Sequence, residues 1–174
     1  MFERFTAAAR EVVRDAVAKG DAVVTPEHLV LALLDREHTT GAAILAHFGV
    51  DRERVAETLA AKHRRGGLSE ADAEALAKLG IDLDAVVAAV EREHGTGAMA
   101  PKRGRRRFHT TFTAEAKRVL ERALREALDC RDTFIGDEHV LLALLALGAE
   151  ADLGLRYTDV RGWITASRRG TGTR

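Results

Sequence analysis

Apolar residues recur along two stretches of the chain at steps of three and four. Phe5, Ala9, Val12, Val13, Ala16 and Val17 form one stripe. Phe112, Ala116, Val119, Leu120, Ala123, Leu124, Ala127 and Leu128 form the other. That spacing lines one face of an α-helix, so each stretch predicts an amphipathic helix. Thr6 and Thr113 stand where an N-cap belongs, each with a hydroxyl able to accept from a free first-turn amide. A second motif follows each stripe. Glu27-His28-Leu29-Val30-Leu31-Ala32-Leu33-Leu34 parallels Glu138-His139-Val140-Leu141-Leu142-Ala143-Leu144-Leu145. A run apolar on every side predicts a short buried helix, with a buried strand as the rival for runs this short. Thr25-Pro26 favours helix, because it places a capping residue before a proline at the first helical position. From Phe5 to His28 is 23 residues and from Phe112 to His139 is 27, so the first copy is expected to be one helical turn shorter.

A further pattern repeats within the first half. Leu45 to Asp51 leads to Val55 and Leu59, and Leu76 to Asp82 leads to Val86 and Val90. Each reads as a helix, a glycine past its end (Gly49, Gly80), an Asp near the next start, and a second helix. Ser69 with Asp72 has the form of a capping box. In the second half only Leu155–Ile164 remains for a final helix, with little room for a partner before it. The apolar stripe of 69–94 is therefore expected to cover the C-terminal half, with Leu79, Val86 and Val90 touching residues beyond 110. Gly95, Gly97, Pro101 and Gly104, with the basic run Lys102, Arg103, Arg105, Arg106 and Arg107, mark a linker. The residues after Ser167 read as a frayed tail.

The 174 residues suffice for one ordinary domain or two very small ones. Aromatic residues make up 5% and there are two prolines, so Ala, Leu and Val must build the core, which favours helices. Lys plus Arg and Asp plus Glu both number 27, which argues against polyanion binding as the main role. The single cysteine, Cys130, excludes an intramolecular disulfide framework and suits a reducing compartment. No apolar run approaches a membrane span and the N-terminus lacks signal-peptide shape, so a cytoplasmic chain, complete at its start, is expected.

Taken together, Met1-Phe2-Glu3-Arg4-Phe5-Thr6, Thr25-Pro26-Glu27-His28-Leu29, Phe112-Thr113-Ala114-Glu115-Ala116-Lys117-Arg118-Val119-Leu120-Glu121 and Ile135-Gly136-Asp137-Glu138-His139 resemble the Clp N-terminal domain family. That family is the double-repeat helical module of ClpA- and ClpC-type unfoldases. The likeness is strong over 1–60 and 108–147 and weak elsewhere. It implies an all-α fold of two pseudo-symmetric repeats that presents substrates and adaptors to an ATPase ring. No Gly-x-x-x-x-Gly-Lys-Ser/Thr loop occurs, so a stand-alone module that binds but does not unfold is expected. The expected organisation is a first repeat over 1–67, an additional helical pair over 68–94, a linker over 95–111, a truncated second repeat over 112–167 and a disordered tail over 168–174.

The resemblance also implies sites. Glu27 and Glu138 correspond to glutamates that receive the guanidinium of a phosphorylated arginine, with Thr6 and Thr113 helping to hold the phosphate. A carboxylate pairs with a guanidinium through a planar fork, and a helix N-terminus offers amides to a phosphate. Plain helix capping is the alternative for both glutamates. Asp137 stands where the family has Thr and brings a negative charge. Phe2, Phe112, Lys117 and Glu121 correspond to positions that contact cyclic-peptide antibiotics; a hydrophobic staple with a surface ion pair is the alternative.

Other chemistry finds less support in the residues. His28 and His139 lack partners at metal-ligand spacing and read as core histidines donating to the backbone, so no metal or cofactor is expected. Cys130 reads as a buried thiol, and no catalytic acid pair or nucleophile motif is present. The reading is a non-catalytic recognition module, an adaptor or decoy whose partners are Clp substrates, adaptors, peptide ligands or a ClpC-type unfoldase. The alternative is a helix-turn-helix DNA-binding regulator over 45–55 or 76–86. Its candidate recognition helices carry Asp51, Arg52, Glu53, Arg54 and Glu57, or Asp82, Asp84 and Glu91, faces that are balanced or acidic and suit a phosphate backbone poorly.

Overall fold

The computed structural model describes residues 2–20, 23–101 and 111–170. The basic run Lys102–Arg107, residues 171–174 and the side chain of Phe2 lie outside what is described. The chain folds as helices with two two-residue strands, and the all-α expectation holds. In order these are α1 (Ala7–Lys19), β1 (Val23–Val24), α2 (Pro26–Leu34), α3 (Thr40–His47), α4 (Arg52–Arg64), α5 (Glu70–Lys78) and α6 (Leu83–His94). β2 (Thr111–Phe112), α7 (Ala114–Asp129), α8 (Asp137–Leu144), α9 (Glu150–Leu153) and α10 (Tyr157–Gly170) follow. Two compact units result, one of residues 1–52 with 104–174 and one of residues 53–103.

In the first unit, α1 packs on α2 and α7 packs on α8, the two copies of one hairpin. Thr6 Oγ1 accepts from the Ala9 amide at 3.2 Å and Thr113 Oγ1 from the Ala116 amide at 3.1 Å, so both expected N-caps form. Helix α1 has 13 residues and α7 has 16, so the first copy is shorter by three residues, close to the expected turn. The apolar faces of α1 and α7 are buried as expected, except that Leu128 is exposed and Val17 and Leu124 are half-buried. Helix α8 is buried from His139 to Leu144, whereas α2 leaves Leu31 and Leu34 half-exposed.

The hairpins interlock through their entry segments. The Thr6 amide donates to the Ile135 carbonyl at 2.9 Å, and the Ile135 amide to the Arg4 carbonyl at 2.8 Å. Reciprocally, β1 pairs in parallel with β2, and the Thr113 amide donates to the Val24 carbonyl at 3.0 Å. Helices α2 and α8 also pack on each other, and α3 packs on both. Asp137 fastens this junction. Its carboxylate is buried and accepts from the Gly41 amide at 2.9 Å, near the start of α3. Helix α3 thereby gains an anion at its positive end from the other repeat. A Cβ at Gly41 would lie 2.5 Å from Asp137 Oδ2, which is why glycine stands there.

After α8 the backbone widens into a π-turn over Leu145–Ala149, with Gly148 at φ 111°. Helix α9 fills the little room before α10, whose Val160 and Ile164 are buried. Helix α10 runs to Gly170, beyond the Ser167 boundary expected for a tail. Its side chains reach Glu126, a wholly buried carboxylate on α7. Arg122 Nε, Arg161 Nη1 and the Tyr157 hydroxyl donate to Glu126 at 2.7, 2.8 and 2.9 Å.

In the second unit the helix–glycine–helix expectation holds. Gly80 takes φ +79° between α5 and α6, and Ser69 with Asp72 forms the capping box at the start of α5. Arg64 forks onto Glu91 at 3.0 and 2.6 Å, while Arg65 bonds Glu70 and Asp84. Those bonds from Arg64, with one from the Gly97 amide, hold the Glu91 carboxyl at about 2. The expected cover for 69–94 is overturned. Leu79 is 77% exposed and Val86 41% exposed, and Val90 is half-buried. Of the apolar residues of α6, Leu83 and Val87 are the ones buried.

Candidate functional site

Glu27 and Glu138 occupy the second position of α2 and α8. Each helix start is set by the histidine that follows. The Thr25 amide donates to His28 Nδ1 at 3.0 Å, and the Gly136 amide donates to His139 Nδ1 at 2.9 Å. Both imidazoles therefore accept from the backbone rather than donate to it, correcting the expectation, and the neutral ring carries its proton on Nε2. Histidine here does the work of Glu or Gln in a capping box.

That tautomer bears on the one side-chain cluster of metal-ligating type among the described residues. Ligand atoms of Cys130, Asp132 and His139 lie within 4.8 Å of one another. His139 Nε2 faces Asp132 Oδ2 at 2.9 Å, in an approach too bent for a regular hydrogen bond. A cation there would have to displace the Nε2 proton and also Arg168, whose Nη2 lies 2.5 Å from the same oxygen. Burial lowers the His139 pKa and raises that of the Cys130 thiol, so neither is poised as a cationic acid or a thiolate.

The interlocked entries decide which groups meet. Through the β1–β2 pairing, the N-terminus of α7, with Phe112 and Thr113, is brought alongside the start of α2, with Glu27. Through the Phe5–Ile135 bridge, the N-terminus of α1, with Thr6, is brought alongside the start of α8, with Glu138. Each candidate glutamate thus lies on a helix start that adjoins the candidate threonine of the other repeat. A cation sits one turn into each donor helix: Lys117 beyond Thr113, and Arg10 beyond Thr6. Arg10 Nη1 donates to the Phe5 carbonyl at 2.8 Å, which keeps it at that helix end. Arg10 was not singled out in the sequence, although its offset from Thr6 equals that of Lys117 from Thr113.

The two glutamates differ in surroundings. Glu27 is half-buried and makes no side-chain hydrogen bond or ion pair with a described residue. Glu138 folds back over Gly136, where a Cβ would collide with its carboxylate. Burial, reinforced by the Asp137 charge, raises the Glu138 carboxyl to about 7. A guanidinium already lies beside it: Arg168 of α10 approaches Glu138 Oε1 to 3.8 Å, bonds Asp132, and donates to the Cys130 carbonyl at 3.2 Å. Asp137 itself turns inward to Gly41, so its charge is committed to the junction.

Of the second group of candidates, Phe112 is half-buried in β2, and Lys117 and Glu121 are exposed one turn apart on α7. The Lys117–Glu121 ion pair offered as the alternative reading is not formed. Phe2 lies outside the described side chains. At the start of α6, Asp82 and Asp84 are exposed, which places carboxylates where a DNA-reading helix needs cations.

A sequence profile of the Clp repeat (R) N-terminal domain matches residues 4–72 and again residues 66–153. The ATP-dependent Clp protease ATP-binding subunit ClpA homolog of Trieres chinensis is 30% identical over 167 residues. That alignment takes in 93% of this chain but only 14% of the relative. Among solved structures, the N-terminal domain of the caseinolytic protease associated chaperone ClpD from Arabidopsis thaliana has a TM-score of 0.50 at 19% identity. The alignment covers 99% of this chain and 97% of that one. A chain from structural investigations of a malarial protein secretion system has a TM-score of 0.57 at 16% identity, over 94% of each chain. At such identities the two structures share the fold with this chain.

Proposed function

Because the chain belongs to the Clp repeat N-terminal domain family, we propose that it is a non-catalytic recognition module for arginine-phosphorylated protein segments. It serves a Clp-type unfoldase as an adaptor or decoy. One observation carries the reading. Backbone pairing sets the helix start that bears each glutamate beside a helix start of the other repeat: the α2 start with Glu27 beside Thr113, with Lys117 one turn on, and the α8 start with Glu138 beside Thr6, with Arg10 one turn on. Phosphoarginine carries both a planar N–H fork and a phosphoryl group. The carboxylate suits the fork, and the helix end with its cation suits the phosphoryl group. Arg168 beside Glu138 and Asp132 supports the reading, because an arginine side chain is already accommodated there.

The same surface offers half-buried Phe112 and exposed Lys117 and Glu121 to a cyclic peptide, Phe2 being the remaining candidate by resemblance. No described helix is long and apolar enough to cross a membrane, and the free thiol of Cys130 suits a reducing cytoplasm. Calorimetry with phosphoarginine tests the proposal. Wild type should bind, and Glu27→Ala with Glu138→Ala should weaken binding by roughly 10- to 150-fold, the loss of a charge-assisted pair at about 1.5–3 kcal/mol. Absent heat with wild type, or equal affinity in the double variant, would refute it.

A further inference from the structure

Helix α5 has nine residues and none of them is buried. A helix that short is marginal in water unless tertiary packing supports it. Three large apolar side chains follow within eight residues and also face solvent: Leu79 at 77% exposure, Ile81 at 42% and Val86 at 41%. Between α5 and the start of α6 runs a groove of about 430 Å³ whose apolar lining includes Ala73, Ala77 and Ile81. Its rim is acidic, carrying Glu70, Glu74, Asp82 and Asp84. Arg65 bonds Glu70 and Asp84, and Glu74 and Asp82 have no cationic partner among the described residues. Over residues 70–84 the only basic side chain is Lys78.

We propose that the α5–α6 hairpin is a docking surface for a basic amphipathic helix of a partner protein. Apolar side chains of the partner would lie on the alanine-lined groove and against Leu79, and its Lys or Arg residues would meet Glu74 and Asp82. Charge selects this occupant. A second copy of the hairpin would set carboxylates against carboxylates, and a nucleic acid would set phosphates against them. The surface is built from residues 70–86 alone and does not depend on the arginine-binding reading of Glu27 and Glu138.

The test uses the full chain and a fluorescein-labelled Leu/Lys amphipathic helical peptide, with a Leu/Glu peptide of the same pattern as control. Anisotropy should give saturable binding to the Leu/Lys peptide, weakening as salt rises, and no saturable binding to the control. Leu79→Ser and Glu74→Lys change exposed side chains, and circular dichroism checks that the helices remain. Each should weaken binding by roughly tenfold or more. Lack of saturable binding to the Leu/Lys peptide overturns the proposal. So does equal binding of the control, or affinity unchanged in both variants. Sedimentation showing a wild-type dimer that Leu79→Ser dissociates also overturns it, because a second copy would then be the occupant.

Discussion

Glu138→Gln separates the charge of the buried glutamate from its shape. Burial and the adjacent Asp137 charge raise this carboxyl from 4.5 to about 7. Between those values the folded protein keeps a proton that the unfolded chain has released. Stability attributable to Glu138 is therefore full below about pH 4.5, falls as pH rises toward 7, and stays lost above it. A displacement of this size corresponds to about 3 kcal/mol, and we expect about 2–3 kcal/mol because water reaches part of the carboxylate. Glutamine fills the same space without titrating. Urea unfolding at a series of pH values should show wild type losing about 2–3 kcal/mol relative to the glutamine variant between about pH 5 and about pH 8. Parallel pH profiles for the two proteins, or a wild type that gains on the variant over that range, would refute the reasoning.

Gly41→Ala sets a Cβ 2.5 Å from Asp137 Oδ2 and opens the Gly41–Asp137 bond, so chemical denaturation should report a loss of about 2–3 kcal/mol. Glu126→Ala strands Arg122 and Arg161, which are about one-third exposed and can turn toward water; the same assay should register about 2–3 kcal/mol, below the usual cost of breaking a fully buried pair. Arg168→Ala removes the resident guanidinium from Glu138 and Asp132, and should raise phosphoarginine affinity at that site about 2- to 5-fold by calorimetry. It should also raise the Glu138 pKa in carboxyl-detected NMR, since Arg168 favours the charged form.

The duplication was legible because it is written in local chemistry. Threonine caps, apolar stripes at helical spacing and the Glu-His pair that opens each buried helix all act within one or two turns. The crosswise pairing was not, because two-residue parallel strands carry no period and join segments nearly ninety residues apart. Glu126 was overlooked although it sits within the stripe of Val119, Ala123 and Ala127; a carboxylate on a buried face was the available signal. Asp137 read as a charge beside the site, whereas a partner distant in the chain, Gly41, turns it inward. The residues after Ser167 read as a tail because arginine and glycine lack an apolar period. Arg168 is held in helix α10 by the carboxylate of Asp132 and the carbonyl of Cys130. The stripe over 69–94 was recognised, but periodicity identifies a sticky face and not what covers it.

If each phosphoarginine site is shared between the two repeats, amide-resolved NMR titration with phosphoarginine will show it. The amides of Glu27, Thr113 and Lys117 should shift together along one binding curve in wild type. Those of Glu138, Thr6 and Arg10 should follow a second, weaker curve that tightens in Arg168→Ala. Glu27 titrating with Thr6 in place of Thr113, or saturating ligand leaving both helix starts unmoved, would contradict the account.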